Sequence, residues 1–532
     1  MTQNVIRHFR LSERVALVIA FFLAIVFLAQ GFFGSLSKSL TWDEPSFISA
    51  GYSYLTRNDF QLNRSHPPFI QELIALPLLF MNLKVPVEDD STWKTSPNPV
   101  VDFGRLFLFE SGNPVRQIAL WARVPILLMG TGLIPVIFFW GRQLYGIEPA
   151  LVGTAVAAFS PNLLAHAKLA TEDLGCTVMM FVAVWIFWRS LHNDRIRDWL
   201  LCGFITGLAF LSKYTALLLL PIYPTLAVGF WLLHREKIKL ASMVKGFFCI
   251  GCLAILVVGA GYNFSFDYSL YSQGLRQIYS DLAPEKHRFY YMLGKGAKNP
   301  WWYYHLVAFV LKVPVPTLLL IAIAGFYALL DRRHQEATLF LLVPAFVVVG
   351  VSFFDKANFG LRRILPAFPF LFLFTAQSIA HEERGLRVLI VSAIICWLAF
   401  ETLRIYPHHL AYFNLIAGGP ERGPYLLADS NIDWGQDLPA LAEWQKRHPE
   451  ARPLKLLYFG SASPTAYNVE SVKFNLPRDL IYPKPGFYAI SVHRLAVLHG
   501  QQNRPQLKKI DWLTKYKPIA RAGYSIYIYR FP

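Results

Sequence analysis

Two adjacent carboxylates, Asp43 and Glu44, close the tetrapeptide Thr41-Trp42-Asp43-Glu44 just past the first long apolar segment. Arg64-Ser65-His66-Pro67-Pro68 follows in the same loop, so acid, base and a rigid turn are gathered in one connection. Further on, Glu172 and Asp173 precede the fourth apolar run, Lys312 stands near the top of the eighth, and Arg362-Arg363 enter the tenth. A Lys or Arg at mid-bilayer costs about 2.5–3.5 kcal/mol on insertion scales, which favours a polar cavity or an anionic head group over lipid tails. Together these groups suit group transfer from a phosphate, in which a carboxylate takes the proton of an attacking hydroxyl while Lys and Arg hold the leaving phosphate. Each also has a plainer reading. Asp173 could cap a helix, Lys312 and the arginine pair could snorkel, and His66 could simply fix the turn into Pro67-Pro68.

The elements that must position these residues are membrane spans. The chain of 532 residues is 54% hydrophobic and 16% charged, with a mean hydropathy of +0.36, which places it among integral membrane proteins. Apolar runs of spanning character lie at 15–34, 118–140, 149–164, 174–190, 199–212, 215–233, 244–262, 306–330, 337–354, 364–380 and 388–405, about eleven in all. Arg7, Arg10 and Arg14 precede the first run, which places the N-terminus in the cytoplasm and reads as a retained anchor. The basic residues of every second loop agree: Arg142, then Arg189, Arg195 and Arg197, then Arg235, Lys237 and Lys239, Arg332 and Arg333, Arg384 and Arg387. The acids and His66 therefore fall on the outer side. Between them, Pro45–Asn58 and Pro67–Phe80 have the amphipathic, aromatic composition of helices lying along the membrane, and Val85–Pro99 reads as an irregular loop.

An odd span count also puts residues 406–532 outside, where the composition becomes that of a soluble α/β domain. Strands are expected at Tyr425–Ala428, Leu454–Phe459, Phe487–Val492 and Tyr524–Tyr529, with a helix over Trp434–Lys446. The expected division is thus 1–405, a membrane domain with outer loops 35–117 and 263–305, followed by the outer domain.

Several other chemistries are weak on inspection. The net charge of +17 is spread over short loops where it sets topology or meets anionic lipid, so nucleic acid is not an expected partner. Cys176, Cys202, Cys249, Cys252 and Cys396 all lie in apolar runs, and Cys249-Ile-Gly-Cys252 lacks the soluble context of a redox motif. Asp429, Asn431 and Asp433 imitate the start of a calcium loop, but Trp434 stands where the sharp-turn glycine belongs. Capping of the following helix by Asp433 is the better account.

Trp42-Asp43-Glu44, His66-Pro67-Pro68, Leu169-Ala170-Thr171-Glu172-Asp173 and Gly360-Leu361-Arg362-Arg363-Ile364-Leu365-Pro366 stand in an order that resembles glycosyltransferase family 39. That group comprises the protein O-mannosyltransferases, with the lipid A aminoarabinose transferases as near relatives. The resemblance covers roughly residues 10–405 and implies an all-α polytopic fold of GT-C type, here with a small C-terminal α/β extracytoplasmic domain. It further implies a polyprenyl-phosphate sugar as donor and an extracytoplasmic acceptor as second substrate, in a plasma (inner) membrane. Asp43 matches the acid that activates the acceptor, Glu44 its support, and Asp173 the second outer acid. Arg362 or Arg363 would meet the donor phosphate, with Lys312 and Arg123 as further candidates. His66, Glu172, Tyr303 and Tyr304 are expected at the substrates, the last two from the run Trp301-Trp302-Tyr303-Tyr304. No cofactor or metal is expected, because a donor with a single phosphate lacks the diphosphate that a cation would neutralise. The rival class is a transporter or flippase, which would put its charges near mid-membrane in paired halves.

Overall fold

The computed structural model describes residues 11–86, 96–235, 240–264, 269–281, 289–380, 385–501 and 510–532. Arg7, Arg10, Lys237, Lys239, Arg384 and much of the loop expected over Val85–Pro99 lie outside the described residues. All eleven runs read as spans are helical, because an apolar backbone in lipid must satisfy its own hydrogen bonds. Seven of them are helices long and apolar enough to cross a membrane: Glu13–Leu36, Val115–Tyr145, Glu172–Asn193, Tyr214–Leu233, Leu240–Gly261, Arg332–Ser352 and Gly385–Arg404. The number rises to nine if two broken pairs each count as one span. Ile147–Ala158 and Pro161–Ala167 meet at 58°, and Tyr304–Lys312 and Val315–Leu330 at 108°. Both breaks follow from a proline that starts the second helix or precedes it, Pro161 and Pro314. Of the remaining two expected spans, one is the 17-residue helix Ile196–Ser212. The other is a run of short helices from Leu361 to Ile379. The chain is a mostly helical multi-pass membrane protein.

The segment expected to lie along the membrane after Asp43 behaves otherwise. Helix Glu44–Arg57 is buried along most of its length, from Glu44 to Tyr54. It crosses Pro68–Ala75 so closely that a Cβ on Gly51 would overlap the Gln71 carbonyl. Close approach through glycine thus turns an amphipathic surface pattern into an interior helix.

The C-terminal region forms a mixed five-stranded sheet in the order Ser471–Lys473, Leu454–Leu457, Gly486–Ser491, Ile526–Phe531, Ala520–Ala522. The first three strands run parallel and the last two pair antiparallel, with Tyr488, Ile490, Ile526 and Ile528 in the core. Three of the four expected strands are present. Tyr425–Ala428 instead makes a single bridge, Leu427 to Met292, and the helix begins at Leu438, four residues later than expected.

Candidate active site

Asp43 occupies the N-cap position of helix Glu44–Arg57, yet its side chain makes no capping bond. Its Oδ2 instead accepts from Arg362 Nη1 at 2.9 Å, and the side chain keeps 28% of its exposure. The same Nη1 lies 3.5 Å from Asp173 Oδ2, whose own side chain is 2% exposed. Asp173 Oδ1 accepts from Lys213 Nζ, so Arg362 joins two carboxylates and Lys213 neutralises the deeper one. Helix Glu172–Asn193 is capped without a side-chain bond, so Asp173 is no capping residue. The guanidinium carbon of Arg362 lies over the Trp434 ring, 4.2 Å from its centroid, and Nε is buried without a hydrogen-bond partner. Asp429 lines the same space. Burial pushes its carboxyl up to about 6, against the pull of Arg362.

The neighbouring acid does a different job. Glu44 Oε1 and Oε2 accept from Arg123 Nε and Nη2 at 2.7 and 2.8 Å, and also from Thr41 N, Thr41 Oγ1 and Ala170 N. Burial alone would push this carboxyl up, but Arg123 and the other donors outweigh it and hold it below the usual range. Arg123 spends its other N–H groups on the carbonyls of Ser35, Lys38 and Ser39. All five of its donors are taken. Glu44 and Arg123 are therefore a buried strut that shapes the Asp43 loop, and Arg123 has nothing left for the phosphate expected there.

Two other cations expected at a phosphate are also engaged elsewhere. Lys312 is 2% exposed and donates to the carbonyls of Leu410 and Asn431. Arg363 makes a two-pronged pair with Asp355, Nε to Oδ2 at 2.7 Å and Nη2 to Oδ1 at 3.1 Å. Of the four, Arg362 is the one that meets Asp43 and Asp173. Glu172 accepts from or donates to His66 Nδ1 at 2.7 Å, and the imidazole stands edge-on to Phe47. Tyr304 is buried with its hydroxyl accepting from Asn431 Nδ2 at 2.8 Å, whereas Tyr303 packs edge-on against Trp302. Among the described residues no group of three or more His, Cys, Asp or Glu side chains is arranged to hold a metal ion.

Sequence reasoning missed Lys213, and it weighed Asp429 and Trp434 only as parts of a calcium-loop pattern. Lys213 carried a signal, a cation between two apolar runs where a charge needs a partner. Asp433 was expected to cap a helix. Its carboxyl instead accepts from Gly435 N two residues on and from His493 N in helix Val492–Gly500, and burial pushes it up to about 7.

A family model described as dolichyl-phosphate-mannose-protein mannosyltransferase matches residues 116–260. The chain resembles that family over this stretch. It contains Arg123, Glu172, Asp173 and Lys213, that is, the arginine of the strut and the deeper half of the acid cluster. Among solved structures, ArnT from Cupriavidus metallidurans in the apo state is similar at 12% identity with a TM-score of 0.48, covering 97% of this chain and 98% of that one. Its undecaprenyl phosphate-bound form gives 12% identity and a TM-score of 0.49 with the same coverage. The Archaeoglobus fulgidus oligosaccharyltransferase in the apo form is similar at 11% identity with a TM-score of 0.47, covering 93% of this chain and 72% of that one. No curated protein sequence matches the chain.

Proposed function

We propose that the protein is an integral-membrane glycosyltransferase that moves a monosaccharide from a polyprenyl-phosphate donor to an extracytoplasmic acceptor. The observation that carries this reading is the pairing of a partly open carboxylate, Asp43, with Arg362 beside a family match to transferases that use a lipid phosphate sugar. In the reaction the acceptor oxygen attacks the anomeric carbon and its proton passes to Asp43. The bond from that carbon to the phosphate oxygen breaks, and its electron pair leaves with the phosphate, so the sugar inverts. The growing negative charge on the phosphate is stabilised by Arg362, with Lys213 keeping Asp173 neutralised so that it does not repel the leaving group. Basic side chains alone serve the single phosphate in this scheme, with no metal.

An apolar cavity of about 540 Å³ supports a lipid-borne donor. Phe210, Tyr223, Phe247, Ile250, Val258 and Tyr271 are among its walls. Tyr271, one of those walls, packs 5.0 Å from Tyr214, the residue after Lys213. A transporter is disfavoured because Asp43 and Arg362 sit at the ends of helices and not in the middle of paired halves. Transfer of radiolabelled sugar from a purified polyprenyl-phosphate donor to membrane acceptors, with and without EDTA, tests the reading. Transfer by the parent that survives EDTA is the expected result, and its abolition by EDTA would bring in a cation.

A further inference from the structure

The run Leu427-Ala428-Asp429-Ser430-Asn431-Ile432-Asp433-Trp434-Gly435-Gln436-Asp437 belongs to the C-terminal region, yet Ser430, Asn431, Trp434, Gly435, Gln436 and Asp437 all bond to the membrane-domain site. On one side it holds the Asp43 loop. Trp42 N donates to the Trp434 carbonyl at 2.9 Å, Ser39 N to the Gln436 carbonyl at 3.0 Å, and Ser39 Oγ to the Gly435 carbonyl at 2.8 Å. Lys38 closes the end on Asp437. On the other side it holds the turn that carries Arg362. Leu361 N donates to Asn431 Oδ1 at 3.1 Å, and Ser430 Oγ donates to the Phe359 carbonyl. Gly360, at φ +140°, has no room for a Cβ against Ser430.

Between these two grips, two side chains of the run act on the guanidinium. Trp434 presents its ring face to Arg362, and Asp429, itself at φ +58°, adds a third carboxylate to the space around it. A cation held over the face of an indole is attracted by the ring. From that position Arg362 keeps Nη1 on the two acids. On its remaining edge Nε is buried and has no hydrogen-bond partner.

We infer that Trp434 is a positioning residue for the transfer reaction, setting the plane of Arg362 so that one edge binds Asp43 and Asp173 and the other meets the donor phosphate. The C-terminal region thereby completes the donor half of the site. This rests on the proposed transferase reading, and the test separates the two. Trp434 also packs with Ala165, Leu169, Leu410 and Phe459, so truncation to Ala would confound packing with positioning. The informative variants are Trp434→Phe, which keeps a ring face, and Trp434→Leu, which keeps apolar bulk without one.

Donor-dependent transfer is measured for the full chain, for each Trp434 variant, for Arg362→Lys, and for the two double variants, with melting in detergent as the folding control. Trp434→Leu should lower transfer about tenfold in the parent, chiefly through donor KM, and Trp434→Phe less than threefold. In the Arg362→Lys background the same Leu change should cost less than threefold, because the planar group that the ring orients is gone. Equal losses in both backgrounds, or equal losses for Leu and Phe, would overturn the positioning role and leave Trp434 as packing only. Full activity of Arg362→Lys would instead sink the assignment of Arg362 to the phosphate, and the inference with it.

Discussion

At the scale of single residues, the charged groups divide by whether their donors and acceptors are already used. Asp43 keeps an open carboxylate oxygen and 28% of its exposure, whereas Glu44 next to it is saturated by Arg123, Thr41 and Ala170. Asp43→Asn should therefore reduce transfer by at least ~100-fold, the low end of what a general base contributes, with donor binding and melting unchanged. Donor titration alongside the transfer assay checks it, and activity within a few-fold of the parent would remove Asp43 from the chemistry. Arg123→Leu should act in the opposite way. Stranding the buried Glu44 charge costs about 3–5 kcal/mol, so the variant should be lost as folded protein, as judged by monodisperse yield in detergent. A well-folded Arg123→Leu with weakened donor affinity would restore Arg123 to the phosphate. Asp429 offers a pH test. Its carboxyl sits near 6 against about 3.9 unfolded, so the folded state binds the proton more tightly, and the stability it adds at low pH is lost as pH rises through 6. Asn keeps the bond that Oδ1 accepts from Ser430 N and tolerates the left-handed backbone. Relative to the parent, Asp429→Asn should thus gain stability as pH goes from 5 to 8, on the order of 1 kcal/mol given the partial exposure. Melting curves at both pH values decide it.

At the scale of elements, the site depends on places where helices stop. Arg362 lies in the short helix Leu361–Ala367, set by Gly360 at φ +140°, a region where side chains other than glycine are strained by about 1–3 kcal/mol. Gly360→Ala should shift this turn away from Ser430 and lower transfer more than it lowers melting temperature. An alanine variant with parental activity would mean that the turn does not set Arg362. Pro314 acts on the same run: the chain bends there by 108° between Tyr304–Lys312 and Val315–Leu330, and Lys312, at the end of the first helix, meets the carbonyls of Leu410 and Asn431. Lys312 is in this way a tie between the membrane domain and the run that contains Trp434.

For the whole molecule, the membrane domain and the C-terminal region share one site, because the backbone of residues 434–436 bonds to the Asp43 loop. Both must then lie on one side of the membrane. In a background without Cys252 and Cys396, a cysteine at Thr465 should be labelled by an impermeant reagent from the outside, and one at Arg195 only after permeabilisation. The reverse pattern would invert the expected topology.

Much of this organisation is legible in the sequence by itself. Hydropathy marks the eleven runs as helical, and the seven to nine of them long and apolar enough to cross a membrane are legible because lipid forces the backbone into local hydrogen bonds. The cost of burying charge likewise singles out Asp43, Asp173 and Arg362 as groups that must have partners. Which partner each one takes is beyond that logic. Arg123, Lys312 and Arg363 satisfy the same criteria as Arg362, and only the fold assigns them to Glu44, to two carbonyls and to Asp355. Trp434 and Asp429 carry no charge-burial signal in the outer region, and they reach Arg362 across a separation of about 70 residues. Pairing at that distance is set by how the helices pack and where glycine lets them approach, so the tertiary structure alone decided it.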